Sequence, residues 1–339
     1  MEKVKMGIES LIKNPTTLTF VTTTRCSSAC DNCCFQCSPR RKKRLTKEVM
    51  LGYMEQVKRD FPTVVSLVLT GGECTLIPEL TEIIEVASNK YGFTVRIVSN
   101  GHWAKTLDNA RAKVREWRAA GLAEINFSTG DEHLEFVSMQ TIKNAILASV
   151  EEGLTPFVNV ESQENHKFNS DHLLKDSTLA TLVSEGKLIL ANGIWIDFKH
   201  PEEIVKKPKF IDVPSFQRCE NLFNGITITP DNRMKACCGI TSNMIEYLDL
   251  GNPEKYSIRH LYNNQFRDFL KIWLHTEGAH KILEFVSQYE KRINIEDYAH
   301  VHHCLVCAII LKNKEIMSIL KQHYDEIYSN VILKYHMIK

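Results

Sequence analysis

Three cysteines, Cys26, Cys30 and Cys33, lie on one short stretch, separated by three and two residues. A cubane 4Fe-4S cluster held by protein takes four thiolates, so three leave one iron open to another ligand. Closed structural zinc also wants four nitrogen or sulfur donors. An open iron is what a reductive chemistry would need.

A second motif, Thr70-Gly71-Gly72-Glu73, follows the apolar run Val64-Val65-Ser66-Leu67-Val68-Leu69. An apolar run bounded by glycines predicts a buried strand, and paired glycines let backbone approach a ligand where side chains would block it. The plainer readings of the cysteines, a zinc knuckle or buried structural thiols, leave the glycines without a role. CxxxCxxC followed some forty residues later by GGE resembles the radical S-adenosylmethionine (radical SAM) superfamily. The resemblance implies that the open iron chelates the amino and carboxylate groups of SAM. Electron injection then cleaves SAM to methionine and a 5'-deoxyadenosyl radical, and Gly71, Gly72 and Glu73 bind the SAM amino group.

Such residues need a frame, and the first two hundred positions supply one by alternating strand-like and helix-like segments. Strands are predicted over 17–23, 64–70, 93–99, 124–128, 155–161 and 188–196. Helices are predicted over 46–60, with Thr46 as N-cap, and over 78–90, 105–120, 139–152 and 171–185. Six βα units fit a partial (β/α)6, TIM-like barrel, whose chemistry gathers at the C-terminal ends of the strands. There lie Glu73 after strand two, Asn100 after strand three, Ser128 at the end of strand four and Asn159 in strand five. For Ser128 and Asn159, a satisfied polar residue at a strand end competes equally with SAM contact.

Composition excludes several classes. The chain has 339 residues, 42 Lys and Arg against 41 Asp and Glu, and 43% hydrophobic content, so no global field favours nucleic acid or membrane. Arg40 to Arg44 is a basic run, but aromatics do not interleave with it, which disfavours nucleic acid; it reads as a solvated run. No secretion signal and no run of 18 apolar residues is visible. Eleven cysteines at clustered spacings suit metal binding in a reducing, cytoplasmic setting. The prolines and charges of 199–214 predict a linker, dividing a core over 1–205 from a domain over 206–339.

That second part carries another constellation: Cys219, then a predicted hairpin over 226–236 that delivers Cys237-Cys238-Gly239, then Cys304-x-x-Cys307. Cys219, one of the adjacent pair, Cys304 and Cys307 make four thiolates, enough for a closed site, and spacing alone does not separate zinc from iron-sulfur. Following a radical SAM core, the arrangement resembles the SPASM/twitch auxiliary 4Fe-4S domains, with Asn232 where their turn usually has glycine; asparagine also tolerates positive φ. Cys34, Cys37 and Cys74 are left over; Cys37 and Cys74 are read as packing, with an additional thiol near the cluster as the competing reading. His300, His302 and His303, just before Cys304, are read as a solvated loop, with a histidine ligand as the competing reading. Helices are predicted over 258–274, 280–292 and 308–324.

Both halves together resemble the YydG-like radical SAM peptide epimerases. The matching stretches are Cys26 to Phe35 with Ser38-Pro39, Thr70 to Glu73, Ser99 to Trp103, Ser128 to His133, Cys237-Cys238 and Cys304 to Cys307. The resemblance implies a ribosomally made precursor peptide as substrate, two 4Fe-4S clusters and SAM as cofactors, and a cellular electron donor such as flavodoxin or ferredoxin. The SAM-derived radical would take a Cα hydrogen from an L-residue, and a thiol, matched by Cys238, would return one to the opposite face while Cys237 binds iron. The competing reading is a maturase that forms a thioether or carbon-carbon crosslink, with Cys238 incidental; the third is a non-catalytic Fe-S carrier or sensor. With the first cysteine at position 26, no leader-binding winged domain is expected before it. Asp131-Glu132-His133 receives no role beyond substrate contact.

Overall fold

Six β-branched and leucine-rich runs form six parallel strands in sequential order: β1 (Thr17–Val21), β2 (Ser66–Thr70), β3 (Thr94–Ser99), β4 (Leu122–Thr129), β5 (Phe157–Ser162) and β6 (Ile189–Ile194). The computed structural model describes residues 8–162, 166–194 and 217–339. It divides into one unit of Thr17–Lys199 with Ile228–Asn232, and another of Met1–Thr16, His200–Thr227 and Arg233–Lys339. The expected domain boundary near 205 lies outside the described residues.

In the first unit the strands pair in register, Phe20 with Leu69, Leu69 with Ile97 and Ile97 with Ile125, and all four side chains are fully buried. Each such side chain contributes about 1.5–3 kcal/mol of burial. The opposite face is polar: Arg96 pairs with Glu124 across β3 and β4 at 2.7 Å, and Ser128 stands beside Asn159 across β4 and β5. Side chains two apart share a face, so Asn126, Ser128, Asn159 and Glu161 continue this stripe toward the strand ends. The arrangement is an α/β fold consistent with a partial TIM barrel.

The connecting helices are α1 (Lys47–Asp60), α2 (Leu80–Glu85), α3 (Leu107–Ala119), a short turn α4 (Asp131–Leu134), α5 (Met139–Glu151), α6 (Ser170–Leu174) and α7 (Ser177–Ser184). Thr46 caps α1 by accepting from Val49 N, and Met50, Tyr53, Met54 and Val57 form its buried stripe. The helix expected from 78 starts at Leu80 and ends in a wider π-turn over Val86–Lys90. The helix expected over 171–185 is broken, because Asp176 accepts from Thr178 N and Leu179 N and so starts a new helix. The basic run 40–44 is exposed, with Arg44 on Glu79 and Lys43 on Asp231.

Beyond the six parallel strands come β7 (Gly225–Ile228), β8 (Met234–Lys235) and β9 (Asp249–Gly251), the last antiparallel to β8, and all of their residues but Ile228 belong to the second unit. The expected hairpin is formed by β7 and β8, and Asn232 in its turn adopts φ +54°. Helices follow as α8 (Ile258–Asn264), α9 (Phe269–Glu277), α10 (Ala279–Ser287), α11 (His303–Lys312) and α12 (Lys314–Ile338). Two predicted helices are again interrupted by a cap: Asp268 accepts from Leu270 N and Lys271 N, and Asn313 from Glu315 N and Ile316 N. The core stacks Phe223 on Phe266 at 4.3 Å. Tyr262 and Tyr335 donate to the carbonyls of Lys13 and Leu11. Among the described residues no helix is long and apolar enough to cross a membrane.

Candidate active site and a second thiol cavity

The loop after β1 carries Cys26, Cys30 and Cys33, all half-buried, and it is stitched to the ends of β2 and β3. Gly72 N donates to Thr23 O at 2.7 Å and Glu73 N to Arg25 O at 2.8 Å. A Cβ on Gly72 would overlap the Arg25 carbonyl, and Gly71 has φ +134° with Thr23 O 2.7 Å from where its Cβ would stand. Both glycines are therefore required for backbone to meet backbone. Glu73 is fully buried; one carboxylate oxygen accepts from Thr75 N and Thr75 Oγ1, the other from Asn100 N at 2.8 Å.

Asn100 returns the link to the cysteines. Its amide nitrogen donates to Ser27 Oγ at 2.9 Å and Ser28 Oγ at 3.0 Å, and lies 3.7 Å from Cys26 Sγ. The loop's other side is held by Glu132, whose carboxylate accepts from Asn32 N at 2.9 Å and from the Asn32 amide. Cys30 Sγ lies 4.0 Å from Glu132 O. Cys37 directs its thiol at Cys33, with its backbone N–H 3.4 Å from Cys33 Sγ; this hydrogen bonding holds Cys33 toward thiolate and Cys37 toward thiol. Burial pushes Cys26 up to about 11, and burial with the neighbouring thiols raises Cys30.

Of the expected site residues, Cys26, Cys30, Cys33, Gly71, Gly72, Glu73 and Asn100 are joined by these bonds. Ser128 and Asn159 are neighbours on the polar sheet face, and the Asn159 amide fills the space a Cβ on Gly193 would take. Ser28, Asn32 and Glu161 were not found from sequence, and Glu132, expected only to contact substrate, holds the cysteine loop instead; a glycine after β4 followed by two acids, Gly130-Asp131-Glu132, was the available signal. Cys74 is buried with its Sγ 3.3 Å from Val98 O, and Cys37 is buried, placements that suit packing.

The three thiols fit a cationic cluster on their own chemistry. Cys26 and Cys30, buried sulfurs with raised pKa values beside Glu73 and Glu132, become thiolates only against a compensating positive charge, and Cys33 is already held toward thiolate. His102 Nδ1, adjoining the Asn100 turn, is buried without a hydrogen-bond partner, so a polar group remains for a ligand.

In the second unit, Cys219, Cys237, Cys304 and Cys307 line one cavity together with Leu222, Leu248, Leu274, Ala279, Gly239 and His303. The end of α9 fixes Cys219: its N–H donates to Leu274 O at 3.1 Å and its carbonyl meets His275 Nδ1 at 2.9 Å. Cys237 follows β8, where Ala236 N donates to Leu248 O. Cys304 and Cys307 are three apart at the start of α11 and so share a face. Burial raises all four thiols, Cys304 to about 12. The same cationic argument holds here, and His303 Nδ1 is buried without a partner.

Cys238 departs from its neighbour. It is exposed, it does not line the cavity, and its Sγ lies 3.9 Å from Asn221 Oδ1. The loop expected around the histidines is corrected: His302 caps α11 by accepting from Cys304 N, His303 opens the helix, and the two rings lie tilted to each other with centroids 4.1 Å apart. An imidazole nitrogen serves as a cap acceptor as an Asp oxygen does, which sequence periodicity does not register. Only His300 is exposed.

The chain is 22% identical over 326 residues to "Putative peptide biosynthesis protein YydG" of Bacillus subtilis (strain 168), covering 90% of this chain and 95% of that protein. Its fold is similar to native anSMEcpe with bound AdoMet and Cp18Cys peptide, with a TM-score of 0.54 at 11% identity over 96% of this chain and all of that one. It is also similar to histidine-tagged anSMEcpe with bound AdoMet, with a TM-score of 0.54 at 11% identity over 94% of this chain and 98% of that one. The model of the Radical SAM superfamily matches residues 20–150, the span that runs from β1 and the three-cysteine loop through β4 and α5, and this chain therefore carries a radical SAM domain.

Proposed function

We propose that this chain is a radical SAM enzyme that modifies a ribosomally made peptide, and that the modification is L-to-D epimerisation. The peptide is suggested by the relative from Bacillus subtilis, alike over nearly the whole chain. The observation that carries epimerisation is the split between adjacent cysteines, Cys237 lining the thiol cavity and Cys238 exposed outside it.

Cys26, Cys30 and Cys33 would hold a 4Fe-4S cluster, and the backbones of Gly71 and Gly72, with Ser128 and Asn159, would receive SAM. Glu73 and Asn100 would act from behind, since their polar atoms are committed to the loop. Bound together, cluster and SAM supply a one-electron cleavage and a radical able to take hydrogen from an unactivated carbon. Cys219, Cys237, Cys304 and Cys307 would hold a second, closed cluster.

Cys238 would return the hydrogen. Although exposed, its sulfur has enough protein around it for burial to raise its pKa, which keeps it S–H at neutral pH. Donation leaves a sulfur radical, and one electron from a flavodoxin- or ferredoxin-like donor with one proton restores the thiol.

The test is incubation of reconstituted protein with SAM, reductant and peptide in D2O. Epimerisation predicts a gain of one mass unit and a D-residue on hydrolysis, with 5'-deoxyadenosine still formed but the D-residue lost in Cys238→Ala. A loss of two mass units in the wild type would replace epimerisation with crosslinking.

A further inference from the structure

Glu161, at the end of β5, has a side chain almost entirely withdrawn from solvent. A buried carboxylate is costly unless it is hydrogen-bonded, so its partners show what it serves. One oxygen accepts from Glu132 N and the other meets His133 Nδ1 at 2.8 Å. Both partners belong to α4, the turn whose Glu132 side chain grips Asn32, one of the two residues between Cys30 and Cys33. The turn is also fastened at Asp131, whose carboxylate accepts from Lys167 N at 2.6 Å and Phe168 N at 2.9 Å.

Gly130 makes the seat possible. It has φ +136°, and a Cβ there would stand 2.9 Å from Glu161 Cβ and closer still to its Cγ. A side chain at 130 and a carboxylate at 161 exclude each other.

We propose that Glu161 is a positioning residue for the first cluster: it locks the turn 131–133, and through Glu132 and Asn32 fixes the loop that presents Cys30 and Cys33. Metal sites depend on such outer partners, whose loss commonly costs about 10–100-fold in metal affinity. The proposal rests on the reading of Cys26, Cys30 and Cys33 as cluster ligands.

Three variants test it in the reconstituted full chain: Glu161→Ala, Glu161→Gln and Asn32→Asp. Iron release from the first centre to a chelator is timed, with the electron paramagnetic resonance spectrum of that reduced centre recorded in parallel. Glu161→Ala is expected to speed release at least about tenfold and to alter the spectrum. Glu161→Gln keeps an acceptor for Glu132 N and can meet the other histidine tautomer, so it should restore both. Asn32→Asp sets two carboxylates against each other on a half-exposed loop without touching the core, and should speed release like Glu161→Ala. Iron at Cys219, Cys237, Cys304 and Cys307 should be unaffected in all three. Wild-type release rates and spectra in both Glu161→Ala and Asn32→Asp would overturn the proposal. If Cys30→Ala retained full iron, the cluster reading itself would be at fault instead.

Discussion

The two thiol constellations differ in how the chain assembles them. Cys26, Cys30 and Cys33 come from one loop, held in a polar web of Asn100, Glu73, Glu132 and Asn32. Cys219, Cys237, Cys304 and Cys307 come from three distant segments and meet in a cavity walled by Leu222, Leu248, Leu274 and Ala279. A local loop with three donors and surrounding polar groups is suited to an exchangeable ligand. Four donors closed in by apolar walls are suited to a centre that keeps its ligands. Of the spare sulfurs, Cys37 and Cys74 are buried and Cys34 half-buried in the first region, while Cys238 is exposed in the second.

The strongest way to break the comparison is to remove one donor from each side. Cys30→Ala is expected to abolish SAM cleavage and lower bound iron by about half, one cubane of two. Cys307→Ala should lose similar iron while retaining SAM cleavage. Iron analysis with 5'-deoxyadenosine quantification checks both, and equal losses of cleavage would erase the distinction.

Next in size is Gly72→Ala. Its Cβ would collide with the Arg25 carbonyl, and breaking that seam should cost about 2 kcal/mol and weaken SAM binding at least about tenfold. Thermal unfolding and equilibrium binding measure the two effects.

Gly239→Ala probes the cavity side more gently. A Cβ there would stand 3.3 Å from Cys304 Sγ and 3.6 Å from Cys237 Sγ, so crowding of about 1 kcal/mol is expected. Iron should bind less firmly at the second centre, with SAM affinity unchanged.

The smallest effect is Asn313→Ala. It removes the cap of α12 just beyond the helix bearing Cys304 and Cys307, at about 1 kcal/mol. The melting temperature should fall by about 2–4 °C, with iron content intact.

The regions also differ in how far the sequence disclosed them. In the first, strand periodicity, the Thr46 cap and the cysteine spacing placed the loop at the strand ends, because these signals are local. Glu161 escaped because a polar residue at a strand end looks the same whether it faces solvent or clasps a turn; only Gly130 at positive φ betrays it. In the second, the four donors could be grouped by count, but which of Cys237 and Cys238 lines the cavity depends on how β8 delivers the pair. Helix lengths were misread wherever Asp176, Asp268 or Asn313 sat inside an apolar period, since a capping side chain restarts a helix without disturbing the spacing of its apolar residues.

The central claim, one cluster open to SAM and one closed, is tested most directly by electron paramagnetic resonance of reduced protein before and after SAM addition. Two variants are compared, one with Cys26, Cys30 and Cys33 replaced by Ala and one with Cys219, Cys237, Cys304 and Cys307 replaced by Ala. The account predicts that SAM changes the spectrum of the second variant and leaves that of the first untouched. A SAM-induced change in the first variant, or none in the second, would contradict it.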